Sequence, residues 1–111
     1  GDRTTHNSMA ARLHHVSRGL QQQQLATTGP CQVVGGCVRS SGYPSVNYGT
    51  DEVCVISGVP PAPIEVTAFN VEAWDCQYDH LTIDGERFCG TSGPQGVQVT
   101  GGTMTWASDE M

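Results

Sequence analysis

Five cysteines, Cys31, Cys37, Cys54, Cys76 and Cys89, all lie beyond residue 30 of this 111-residue chain. They constrain the fold more than any other feature. The spacing contains no Cys-x-x-Cys and no neighbouring histidine pair, so a zinc site is a poor reading. Disulfides in an oxidising compartment fit better. Cys76 and Cys89 flank the segment His80-Leu81-Thr82-Ile83, Asp84-Gly85, Glu86-Arg87-Phe88. An Asp-Gly pair between short apolar runs is the signal of a two-residue hairpin turn. A bridge between Cys76 and Cys89 would close that hairpin and contribute roughly 3 kcal/mol through chain entropy. Cys54 is then left to pair with either Cys37 or Cys31, and one thiol remains over.

Charge divides the chain near Gly29-Pro30. Residues 1–30 carry a net +2 and residues 31–111 a net −8. In the first part, Met9, Leu13, Val16 and Leu20 recur at i, i+4, i+7 and i+11, after capping residues Asn7 and Ser8. This spacing predicts an amphipathic helix over about residues 8–26 that docks on a partner, within a basic, Gln-rich tail 1–30. A helix of about four turns is marginal alone in water and gains stability from a surface to lie on. The same segment is rich in Arg, Ser and Gln and poor in acids, as transit peptides are.

Residues 31–111 read as an all-β domain. The runs 52–57, 64–72 and 103–107 and the hairpin lie at roughly 10-residue spacing between Gly and Pro turns, the pattern of a sandwich or barrel. Pro60, Pro61 and Pro63 forbid helix between the first two runs. In Ile64-Glu65-Val66-Thr67-Ala68-Phe69-Asn70-Val71-Glu72 both faces carry apolar residues, which suits a central strand.

Composition excludes several functions. The chain has no lysine, so it holds no P-loop, no Schiff base and no Ser-x-x-Lys nucleophile. An acidic chain with five arginines lacks the cations that replace phosphate counterions, which argues against nucleic acid. No run approaches the ~18 apolar residues of a membrane span. The phrase Gly90-Thr91-Ser92-Gly93 is not a Gly-x-Ser-x-Gly elbow and has no Asp before the Ser. These absences point away from an enzyme and toward binding.

From residue 31 onward the motifs follow one another in a known order. Gly36-Cys37-Val38-Arg39-Ser40-Ser41-Gly42-Tyr43-Pro44 is followed by Tyr48 and then Cys54-Val55-Ile56. Next come Phe69-Asn70-Val71-Glu72, Cys76-Gln77-Tyr78-Asp79-His80-Leu81-Thr82-Ile83, Asp84-Gly85, Phe88-Cys89-Gly90 and Trp106-Ala107-Ser108-Asp109. In this order and spacing the segment resembles the CUB domain family, and is more similar to divergent CUB-like domains of protists and algae than to animal ones. Ser41 stands where the family has proline, and Val55 replaces the neighbourhood of its tryptophan.

The resemblance implies a jelly-roll β-sandwich over residues 31–111. It also implies a calcium site of one CUB subclass, with Glu72, Asp79 and Asp109 as metal ligands and Tyr48 bracing them. Ca²⁺ takes six to eight oxygens, and three carboxylates would supply much of that shell. In that subclass the acids bind a basic side chain of a partner protein, with no catalysis. The family continues into a further strand, so the chain is expected to extend past Met111, with the partner of Cys31 there and Cys37 paired to Cys54. The expected function is a non-catalytic, Ca²⁺-dependent protein-binding module, extracellular or in another oxidising lumen. A second reading rests on the N-terminal segment. It makes the chain an accessory subunit of a larger assembly, such as a photosynthetic membrane complex with a thylakoid or other organelle lumen, anchored through its helix.

Overall fold

A computed structural model describes residues 8–13, 25–73 and 75–109. Among them nine strands form: β1 (Ser8–Leu13), β2 (Ala26–Thr27), β3 (Gln32–Val34), β4 (Cys37–Arg39), β5 (Val53–Ser57), β6 (Ile64–Asn70), β7 (His80–Ile83), β8 (Glu86–Phe88) and β9 (Thr103–Ala107). They make two antiparallel sheets, in the orders β3-β4-β1-β6 and β2-β5-β9-β7-β8. The described residues include no helix, and so none long and apolar enough to cross a membrane.

The core forms from the inward residues of both sheets. Along β5 alternate residues are buried, Cys54 and Ile56, while Val53, Val55 and Ser57 face solvent. Trp106 sits on the middle strand, β9, in register with Cys54 on one side and Leu81 on the other. It is fully buried, as are Met9, Ile56, Leu81 and Val38. The hairpin forms at the expected place, with Asp84 and Gly85 both at positive φ (50° and 85°).

The N-terminal reading is corrected. Residues 8–13 are strand β1, paired to β4 on one side and β6 on the other, and Ala26–Thr27 is strand β2. The sandwich therefore begins at residue 8, not at residue 31. The cause lies in the spacing itself. Met9 and Leu13 are four apart, and residues at i and i+4 share a face in a strand as well as in a helix. Pairing on both edges satisfies the backbone of β1, and Met9, Ala11 and Leu13 join the core. Met9 and Leu13 are thus spent on the interior and cannot present a docking face. Val16 and Leu20 lie outside the described residues.

The position of β6 is corrected as well. It is the edge strand of its sheet. The register shifts between Ala10 and Ala11, which pair with Ala68 and Val66, so Thr67 is an extra residue on β6. Such a bulge flips the inward parity of the strand. Ile64 is buried before it, and Phe69 and Val71 after it. Apolar residues on both faces of the sequence pattern reflect this flip. The open edge is covered by the 90–98 loop: Val71 and Gly90 exchange backbone hydrogen bonds of 2.9 and 2.8 Å, and Ile64 N–H donates to Val97 O at 2.9 Å.

At the far end, Asp84 fastens the hairpin to the loop before β9. Its Oδ2 accepts from Thr100 N–H and Thr100 Oγ1, both at 3.0 Å, and its Oδ1 from Gly101 N–H at 3.3 Å. These bonds, led by the Thr100 backbone N–H, hold the Asp84 carboxyl below its ordinary 3.8. Because the folded value is the depressed one, this stabilisation is complete above pH ~4 and fades as pH falls through the folded value. Asp84→Asn keeps a residue tolerant of positive φ but removes the titration. Acid unfolding followed by circular dichroism should show a shallower loss of stability below pH ~4 in this variant than in the wild type.

Candidate metal centre

Three strand ends meet at the end of the sandwich opposite the Asp84 turn. Glu72 follows β6, Asp79 immediately precedes β7, and Asp109 lies two residues beyond β9. In the β7–β9 ladder His80 faces Ala107, which brings Asp79 beside residues 108–109. Glu72 arrives from the other sheet. One carboxylate oxygen from each of Glu72, Asp79 and Asp109 lies within 4.8 Å of the other two. Glu72 and Asp79 are buried and Asp109 is half-buried. The three expected ligands are therefore brought together, from segments far apart in sequence.

Tyr48 reaches into this cluster. Its hydroxyl donates to Asp79 Oδ2 at 2.6 Å and accepts from Glu72 N–H at 3.4 Å. Its ring meets Trp106 edge-to-face, with centroids 4.8 Å apart. Asp109 N–H donates to Asp79 Oδ1 at 2.9 Å. Asp79, with no exposed surface, thus ties the Tyr48 loop to the end of β9.

The donor chemistry fits a hard cation. All three groups are carboxylates, with no sulfur or imidazole, which selects Ca²⁺, Mg²⁺ or Mn²⁺ over zinc or copper. Two oxygens on one calcium at 2.3–2.6 Å can be about 5 Å apart at most, so the observed spread fits on a single calcium sphere. Three anions held this close without a cation repel one another. Burial, helped by Arg87, pushes the His80 imidazole below the usual 6.5, against the opposing pull of Asp79 and the Cys76 carbonyl.

A second layer beneath the site was not legible as functional in the sequence. Glu52 is buried, with 4% exposed. Its Oε1 accepts from Trp106 Nε1–H at 3.0 Å, and its Oε2 from Gly49 N–H at 2.6 Å and from the Ser41 hydroxyl. Ser108 Oγ accepts from Glu52 N–H at 3.0 Å and donates to Gly49 O at 2.8 Å. The sequence did carry a signal for this. Glu52, Cys54 and Ile56 share the inward parity of one alternating run, which puts a carboxylate on a core-facing position.

The Cys76–Cys89 bridge forms as expected, but Cys54 pairs with Cys31 and not with Cys37, which is free. The expected Cys37–Cys54 bridge fails on parity. In β4 the core-facing residue is Val38, so Cys37 points outward, in a row with exposed Arg12 and Val34. Cys54 points inward, and Cys31 N–H lies 3.2 Å from its sulfur. Cys31 therefore has its partner within the chain.

No family model matches the chain, and comparisons with curated proteins and with solved structures give no match.

Proposed function

We propose that this chain is a calcium-dependent, non-catalytic protein-binding module of CUB type, with the jelly-roll arrangement of that family, working in an extracellular or luminal compartment. The observation that carries the reading is the convergence of Glu72, Asp79 and Asp109 within 4.8 Å, with Tyr48 bonded to Asp79. These are the positions the resemblance assigns to a calcium site. Two disulfides are compatible with an oxidising compartment. The calcium would be held by the three carboxylates, with Tyr48 fixing Asp79. Its role there is to order the loops at this end of the sandwich. The partner supplies a basic side chain, drawn by the field of a chain of net charge −6.

An array of short peptides, read with labelled protein in calcium and in chelator, tests this. The expected result is a calcium-dependent signal concentrated on Lys- and Arg-containing peptides and absent with Asp79→Ala. Binding that is equal in chelator, or no preference for basic peptides, contradicts it.

A further inference from the structure

The carboxylate of Glu52 is a charged group inside the core that the proposed site does not use as a ligand. Both of its oxygens are already taken by three donors, Trp106 Nε1–H, Gly49 N–H and the Ser41 hydroxyl. A buried carboxylate costs stability unless its bonds are met, so its arrangement calls for a reason. The donors share a geometric property. Trp106 belongs to β9, the middle strand of its sheet, whereas Gly49 and Ser41 lie on the irregular segment between β4 and β5 that carries Tyr48. Glu52 joins the two.

The same stretch is fastened a second time by backbone. Asp51 N–H donates to Asp109 O at 2.8 Å, and Ser108 N–H to Glu52 O at 2.9 Å. The residues bracing Asp79 (Tyr48) and supplying a ligand (Asp109) thus hang on one clamp. Its tightness shows at Gly49, where a Cβ would stand 2.9 Å from Glu52 Oε2. A side chain at this position would push against the carboxylate that grips the loop, so the carboxylate or the loop must shift.

We infer that Glu52 is the positioning residue of the metal centre: it clamps the Tyr48 loop to Trp106 and so holds Tyr48 on Asp79 and Asp109 beside it. The inference rests on the metal reading of Glu72, Asp79 and Asp109. Glutamine cannot replace Glu52 in this role. Indole and backbone N–H groups only donate, so the glutamine NH₂ would face a donor whichever way the amide is turned. Groups that orient metal ligands typically change affinity 10–100-fold when altered.

Calcium titration by calorimetry, on wild type, Glu52→Gln, Gly49→Ala and Val99→Ala, tests it. Val99 is a buried core residue at the opposite end of β9 from the site, so Val99→Ala reports what loss of stability alone does. Expected are a 10–100-fold rise in Kd for Glu52→Gln and Gly49→Ala and a wild-type Kd for Val99→Ala, all measured well below each melting midpoint. Should Glu52→Gln fail to fold, Gly49→Ala, which keeps the carboxylate, decides. Wild-type binding with unchanged Kd in Glu52→Gln, or in Gly49→Ala if it alone folds, overturns the role of Glu52 and leaves the metal reading standing. So does an equal rise in Kd for Val99→Ala. Absence of binding by the wild type overturns both.

Discussion

Asp79→Ala is expected to abolish calcium binding, and with it the rise in thermal midpoint that calcium gives the wild type. The carboxylate is fully buried and does three things. In the proposed site it would supply one metal ligand, and it accepts the Tyr48 hydroxyl at 2.6 Å and Asp109 N–H at 2.9 Å. Alanine leaves both donors without this acceptor, at a cost of about 1–3 kcal/mol each. Removing one of three clustered negative charges offsets part of that in the metal-free state. The larger effect is therefore in calcium. A ligand at a hundred times its Kd stabilises the folded state by about 2.7 kcal/mol, which is roughly 10–20 °C for a domain of this size. Melting curves in calcium and in chelator should be separated by about that much for the wild type and should superimpose for Asp79→Ala.

Reduction of the disulfides is expected to unfold the domain. The two bridges span 23 and 13 residues, and loops of those lengths contribute about 3 kcal/mol each in the chain-entropy account. Together they amount to about 6 kcal/mol, against total stabilities of about 5–15 kcal/mol for ordinary domains. The core has few large side chains to make up the difference. Among the described residues, Trp106, Tyr48 and Phe69 are the aromatics buried within it. In dithiothreitol the near-ultraviolet dichroism that reports the Tyr48–Trp106 contact should collapse near room temperature. Cys54→Ser should lose about half as much stability as full reduction. Cys37→Ser should stay close to wild type, since Cys37 is free and half-buried on the outer side of β4. In denaturant without reductant, one thiol per chain should react.

Local chemistry made part of this legible in the sequence. Asp84-Gly85 specified its own turn, and the period-2 runs at β5 and β9 specified their own faces. What misled was degeneracy between levels. The four-residue spacing of Met9 and Leu13 satisfies a helix face and a strand face alike, and only the pairing partners β4 and β6 decide between them. The bulge at Thr67 has no local signature, so the two apolar faces of β6 read as a buried central strand. Cys37 against Cys31 is a question of parity in a three-residue strand, too short to show its period in sequence. The acids of the site were found through the order of motifs, because no local spacing links residues 72, 79 and 109. Glu52 is hidden in sequence because a single carboxylate in an apolar run reads as an interruption until Trp106 and Gly49 stand against it.

The central claim is that Glu72, Asp79 and Asp109 hold one calcium ion. Isothermal titration of the oxidised wild-type protein with calcium, beside Asp79→Ala, tests it most directly. The account requires a single site per chain, with a dissociation constant in the roughly 0.1–1 mM range of extracellular calcium modules, and no saturable heat from Asp79→Ala. A wild-type protein that gives no saturable binding through that range, or an Asp79→Ala variant that binds as tightly as the wild type, contradicts it.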